Sequence, residues 1–121
     1  PVNVDAVECH GAGSYMGDAI EVDSLNRVLR GVDIDEPLGI TATKSYLGQA
    51  NEASGTIALI KSLYANYWGT ICPNLHLKQV NPNIFLHDSP VLLSLEVHEF
   101  TERNPIVGTL SWGFGGSNVY M

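Results

Sequence analysis

A chain of 121 residues with 45% hydrophobic and only 16% charged side chains is long enough for one domain with a modest core and too short for a multi-domain enzyme. Its 13 acidic against 6 basic residues give a net charge of −7, which argues against nucleic acid, whose phosphates reward basic patches. No stretch of about 18 apolar residues could cross a bilayer, and Pro1 to Glu8 lacks the basic region of a signal peptide, so the expectation is a cytoplasmic protein with no membrane partner.

The apolar content is high for so small a free-standing domain, so part of the apolar surface is expected to meet a partner. Cys9 and Cys72 lack metal-type spacing and read as buried free thiols of a reducing compartment.

In chain order, Val2 to Cys9 carries Val2, Val4, Ala6 and Val7 and reads as a buried strand ending at His10, where glycines begin. Gly11 and Gly13 permit a tight turn, and Asp18 followed by Glu21 predicts an Asp variant of the capping box. The helix expected from about Ala19 to Arg30 has an apolar stripe of Val22, Leu25, Val28 and Leu29. Arg27 and Arg30 suit its negative end, and Gly31 its stop. Val32 to Pro37 is an acidic loop, and Leu38 to Thr43 a short strand feeding Lys44.

The polar, Gly-punctuated turn from Lys44 to Gly55 runs into a helix expected from about Asn51 to Trp68. That helix is apolar on nearly every side, with Lys61 its only charge beyond Glu52, which predicts a buried helix. A chain this short can hardly cover it, a second sign of missing partner structure. Gly69 ends it, and Pro73, Pro82, Pro90 and Pro105 punctuate the remainder. Val91 to Val97 and Ile106 to Leu110 are the strand candidates, joined through Glu99 to Asn104 as a hairpin. Strands interleaved with helices predict an α/β domain with its ligand where strands end in Gly-rich loops. Three such loops stand out, at Glu8 to Ser14, Lys44 to Gly55 and Trp112 to Asn118.

His10, between Glu8 and the glycines, reads as a rigidly held acid/base or donor beneath a pocket, or equally as a satisfied structural histidine. His76, His87 and His98 have neither i,i+4 nor Cys partners and read as surface or packing residues, so no metal is expected. The glycines around Phe114 mark either close approach to a ligand or a bulge. Gly11 and Gly13 lack the third glycine and the lysine of nucleotide-binding loops.

Taken together, the loops resemble the C-terminal portion of a β-ketoacyl synthase, the ketosynthase of fatty-acid and polyketide assembly. Val7-Glu8-Cys9-His10-Gly11-Ala12-Gly13-Ser14 with Gly17-Asp18-Ala19-Ile20-Glu21 resembles V-E-x-H-G-T-G-T…G-D-P-I-E, and Lys44 to Gly55 resembles K-S-N-x-G-H-x-E-A-A-x-G. Cys72 to His76 with Asn81-Pro82 resembles P-P-N-L followed by N-P, and Ser111 to Tyr120 resembles S-F-G-F-G-G-T-N-A-H. The match spans essentially the whole chain. It implies an α/β fold, the C-terminal half of a thiolase-like fold with a mixed sheet and a buried helix, as a single domain over residues 1–121.

The resemblance further implies an acyltransferase of the β-ketoacyl-carrier-protein synthase type working as part of a larger homodimeric protein, with the isolated fragment inactive. The N-terminal half would carry the nucleophilic cysteine, a role for which neither Cys9 nor Cys72 matches. Substrate would arrive on the phosphopantetheine of an acyl carrier protein, with no bound cofactor. Carried over by motif, His10 matches the first catalytic histidine and Lys44 the lysine that supports the site. Ser14 matches a threonine that contacts the phosphopantetheine, and Phe114 the gate whose backbone amide joins the oxyanion hole. Ala12 has lost the hydroxyl of its companion threonine.

Three departures bear on the chemistry. Gln49 stands at the second catalytic histidine, Asn51 at the family's glutamate and Tyr46 at its asparagine. A Gln amide donates a hydrogen bond and has no pKa near neutrality. Glu52 is one position late, about 100° round a helix. The implied host is therefore non-elongating, passing acyl chains on without extending them. The alternative is a non-catalytic chain-length-factor-like or scaffold subunit that pairs with an active ketosynthase.

Overall fold

The computed structural model describes residues 3–31, 33–101 and 104–121. The first strand, β1, is Val4–Glu8, and the part of the predicted strand at Val2 lies outside the described residues. Helix α1 is Gly17–Leu29, β2 is Leu38–Thr41, α2 is the short Lys44–Leu47, and a 3₁₀ turn at Asn51–Ala53 leads into α3, Ser54–Trp68. There follow β3 Thr70–Ile71, β4 Val91–Leu92, β5 His98–Glu99, β6 Ile106–Trp112 and β7 Asn118–Tyr120.

Among the described residues, one mixed sheet runs in the order β4-β2-β1-β6-β7, and β3 pairs with β5 separately. The inner pairs are parallel, with Val7 opposite Ile40 on one side and Gly108 on the other, while β7 returns antiparallel to β6. Alternation along the strands gives the sheet two faces. Val7, Cys9, Leu38 and Ile40 meet Val22, Leu25 and Leu29 of α1 in the core. Glu8 and Thr109 face the other way, toward α3, where Lys61 Nζ pairs with Glu8 Oε2 and Ser62 Oγ lies 2.8 Å from Thr109 Oγ1.

Several expectations are corrected. The box at the start of α1 is formed by Ser14 and Asp18: Gly17 N–H donates to Ser14 Oγ at 3.0 Å, and Ser14 N–H to Asp18 Oδ1 at 3.2 Å. Both ends of the exchange thus sit one turn earlier than the Asp18/Glu21 pairing, and Glu21 is free for another task. Val28 is not part of the buried stripe, being exposed. Arg30 is buried instead of decorating the helix end, because its guanidinium donates to the carbonyls of Val4, Glu36 and Pro37 and so satisfies a bend of chain that carries no ladder. Val32 lies outside the described residues.

The predicted hairpin does not form. Of the candidate strand at 91–97 only Val91–Leu92 is extended, as β4 paired with β2; β5 lies just beyond it and pairs with β3, while β6 pairs with β1 and β7. Glu102 and Arg103, in the supposed connection, lie outside the described residues. Pairing with β1 on one side and β7 on the other places β6 inside the sheet, where Gly108 and Thr109 are buried and both edges of the strand find backbone partners.

Helix α3 is stopped by Gly69 as expected, in the left-handed conformation at φ +66°. It is not buried on all sides, however. Ala58, Ser62 and Ala65 pack on the sheet, while Ile60, Leu63, Tyr64, Tyr67 and Trp68 are exposed. The chain exposes 7790 Å², whereas a folded monomer of 13.1 kDa is expected to expose about 6,400 Å². The excess fits the reading that apolar cover for α3 lies outside this chain.

Candidate active site

Because β1, β2 and β6 are parallel neighbours, the loops that leave them emerge at one edge of the sheet, where open α/β sheets place their ligands. His10 follows β1, Lys44 and Gln49 follow β2, and Phe114 follows β6. The three loops meet: His10, Gln49, Asn51, Trp112 and Phe114 line one cleft of about 470 Å³. Phe114 is fully exposed at the tip of a turn closed by Gly113 N–H to Ser117 O at 2.8 Å. Lys44 stands behind His10, its Nζ donating to the His10 carbonyl oxygen.

The backbone of His10 is held from two sides. Glu21, reaching back from α1, accepts from His10 N–H at 2.6 Å and Gly11 N–H at 3.0 Å, while Lys44 takes the carbonyl. Burial pushes the Glu21 carboxyl up despite these two donors, and burial pushes the Lys44 ammonium down despite the carboxylates of Glu21 and Glu8. Gly11 has φ +50°, and a Cβ there would stand 2.7 Å from Ala42 Cβ, so only glycine lets this loop lie against the end of β2.

The imidazole itself has a defined tautomer. Trp112 N–H donates to His10 Nδ1 at 3.3 Å, so Nδ1 is the acceptor and the proton of the neutral ring sits on Nε2. The indole of Trp112 stacks on the imidazole with ring centroids 5.4 Å apart and planes at 21°. Burial, and next the positive charge of Lys44, hold the imidazole below its ordinary pKa, with Asp18 opposing. His10 is thus a neutral donor at physiological pH.

Gln49 follows Gly48 at the end of α2, and its Oε1 accepts from Ser54 Oγ at 3.4 Å, leaving the amide NH₂ to donate. Asn51 takes a left-handed φ of +49°, which asparagine tolerates better than most residues. Ser14 is not part of this cleft. It lines a separate groove with Tyr15, Asp18 and Asn81, and its hydroxyl caps α1. Tyr46 leaves the site altogether: its ring lies 5.0 Å from Lys61 Nζ and its hydroxyl donates to the Pro73 carbonyl.

Sequence reasoning misses Glu21 as a holder of His10, because a carboxylate in the first turns of a helix reads as a cap. It misses Trp112 too, which is 102 residues from its partner. The asparagines of the Cys72 to Pro82 stretch act as fasteners. Asn74 accepts from Ala42 N–H at 3.1 Å and donates to Ile40 O at 2.8 Å, and Asn81 donates to Tyr15 O at 2.8 Å. The thiol of Cys9 is buried and raised well above its usual pKa, first by burial and then by Glu21 and Glu8, as suits an inert packing residue. Cys72 is half-buried and free. Among the described residues no cluster of His, Cys, Asp or Glu could hold a metal ion.

Comparison with known proteins places this arrangement. Residues 1–78 match the family described as "Beta-ketoacyl synthase, C-terminal domain". The highly reducing polyketide synthase anuA of Penicillium roqueforti is 37% identical over 100% of the chain, and the highly reducing polyketide synthase virA of Hypocrea virens is 35% identical over 98% of it. The chain spans only 6% and 5% of those relatives' lengths. The solved ketosynthase from module 1 of the bacillaene synthase of Bacillus amyloliquefaciens superposes with a TM-score of 0.89 at 34% identity, over 99% of this chain and 23% of that one. With its motifs in order, its strand-end cleft and its thiolase-like ketosynthase topology, the chain belongs to the β-ketoacyl synthase C-terminal domain family.

Proposed function

We propose that this chain supplies the histidine and oxyanion side of an acyl-thioester site in a polyketide-type ketosynthase, and that its host transfers acyl groups without elongating them. The observation that carries the reading is the cleft shared by His10, with its proton on Nε2, and the carboxamide of Gln49. In this reading the N-terminal half of the ketosynthase brings the nucleophilic cysteine, the acyl group arrives on the phosphopantetheine of a carrier protein, and the host is a homodimer.

Acyl transfer requires that the cysteine thiolate add to the thioester carbonyl and that the oxygen, momentarily negative, be held until the carrier thiolate leaves. The neutral His10 Nε2–H and the Phe114 backbone N–H meet that need, and donors so placed are worth several kcal/mol in the transition state. Lys44 and Glu21 keep the His10 backbone in place. Elongation asks for more. Malonyl thioester must lose CO₂ to give an enolate, whose carbon attacks the acyl-cysteine and expels the thiolate. With Gln49 the second donor is a weakly polarised amide with no proton to relay, a loss of roughly 10²-fold or more on the usual scale of such groups.

The test is Gln49→His in the full host against the unaltered protein, each loaded with an acyl thioester and offered malonyl carrier protein. Acyl-cysteine and β-ketoacyl product are followed by mass spectrometry. The expected result is acylation in both and efficient elongation only in the His variant. Equal elongation overturns the non-elongating reading, and acylation of neither favours a non-catalytic scaffold.

A further inference from the structure

We propose that Trp112 is a positioning residue for His10, its indole face and its backbone N–H together fixing the imidazole so that Nδ1 is tied inward and Nε2–H serves the cleft. Its catalytic meaning rests on the donor role of His10 proposed above. The geometry stands apart from that role.

A histidine side chain turns about two torsions, and a single hydrogen bond of 3.3 Å to Nδ1 is too long to hold it alone. Free rotation would present either nitrogen to the cleft, and the tautomer would follow whichever partner was nearest. The stacked indole opposes that freedom. With planes at 21° and centroids 5.4 Å apart, an imidazole that turns about its long axis gives up both its offset contact with the indole and its bond from the Trp112 amide. Both constraints come from one residue, and that residue is placed by the sheet. Trp112 ends β6, which pairs in parallel with β1, and it is opposite Asn118 of β7.

The other charged groups near His10 do not do this work. Lys44 and Glu21 bond its main chain, and Asp18 and Glu8 are engaged by Ser14 N–H and by Lys61. Among the described residues, Trp112 alone meets the ring on both a nitrogen and a face.

A neutral imidazole reacts with diethyl pyrocarbonate through its free lone pair. In His10 that lone pair is on Nδ1, committed to Trp112 N–H and shielded by the indole. Labelling of the full host at pH 7, with His10 and His87 peptides quantified by mass spectrometry, therefore reads the constraint without any turnover. Trp112→Leu keeps the backbone N–H and removes only the indole face, so His10 labelling is expected to rise roughly fivefold, the factor that follows from losing one aromatic pair contact. Trp112→Phe, which keeps a flat face, is expected to stay within about twofold of the unaltered protein, since the backbone donor and stacking persist. His87 should not change.

An unchanged His10 rate in Trp112→Leu overturns the proposal, as does an equal rise in both variants. Where the Leu variant does not fold, Trp112→Met tests the same loss of a planar face. In a host that transfers acyl groups, kcat should fall in Trp112→Leu with KM little altered. A labelling change without that fall would leave the positioning role intact and count against the donor role of His10.

Discussion

Lys61 crosses from the middle of α3 to the carboxylate of Glu8 on β1, with Nζ 2.8 Å from Oε2 and side chains 14% and 2% exposed. Glu8 also accepts from Thr41 Oγ1 at 2.7 Å and from the amide and hydroxyl of Thr43. One carboxylate thereby ties together α3, β1 and the turn that delivers Lys44. Lys61→Met leaves that buried charge without its cation, a change that typically costs about 3–5 kcal/mol. The expected result is a loss of at least about 3 kcal/mol in urea denaturation of the host ketosynthase. Adding Glu8→Gln to it should recover part of the loss, because the burial of a bare charge is what costs most. Loss of the same size in the double variant would contradict this account.

Gly11 and Gly13 separate strain from clash. Both have positive φ, yet a Cβ on Gly13 meets nothing within 4 Å while one on Gly11 meets Ala42 Cβ at 2.7 Å. Gly13→Ala is expected to cost about 1–2 kcal/mol, the usual cost of a left-handed residue. Gly11→Ala should cost clearly more and lower acyl transfer as well, since the shift displaces His10. Comparing melting temperatures and acylation rates of the two variants checks it.

His10 should give the host a characteristic pH response. Its folded pKa is lowered, so between that value and about 6.5 the unfolded chain binds more protons than the folded one. Its contribution to stability is therefore complete above about pH 6.5 and is lost as pH falls through the folded pKa. His10→Asn should flatten the stability curve in that window. Acyl transfer should decline over the same range as Nδ1 gains a proton and its bond from Trp112 is broken. Stability and transfer rates measured from about pH 7.5 to about pH 5 test both, and a His10→Asn curve as steep as that of the unaltered protein would sink the assignment.

The isolated chain should associate. Leu63, Tyr64, Tyr67 and Trp68 form an exposed apolar face on α3 that water disfavours. Light scattering is expected to show concentration-dependent growth, reduced by Leu63→Glu with Tyr67→Glu. A monodisperse monomer with a cooperative unfolding transition would show that the face needs no cover.

Periodicity explains what is legible in the sequence. β1, α1 and α3 announce themselves because each repeats its apolar residues over several turns or pleats, and Gly69 is a stop whatever surrounds it. The two-residue strands β3, β4 and β5 carry no such repeat, and their partners are chosen by packing across the sheet. Val91 and Val97 read as one strand because both are apolar, yet only Val91 has a neighbour at β2. At the site, His10, Lys44, Gln49 and Phe114 are found from motifs, and the fold puts three of them on one cleft with Lys44 behind. Glu21 and Trp112 stay hidden, since the first looks like a helix cap and the second acts on a residue at the far end of the chain. Lys61 is visible as a lone charge in an apolar helix, but nothing short of the folded sheet could name Glu8 as its partner.

The candidate site and the architecture occupy separate positions in this domain. Ala12, Gln49 and Asn51 all stand beyond the last rungs of β1 and β2, where Glu8 pairs with Thr41. Exchanging any of them removes no rung and empties no part of the core around Val7 and Leu38. Position 49 can therefore exchange one polar side chain for another with little effect on the scaffold, whereas a change at Glu8 or Lys61 strikes the buried ion pair that joins α3 to β1 and is felt by the fold itself.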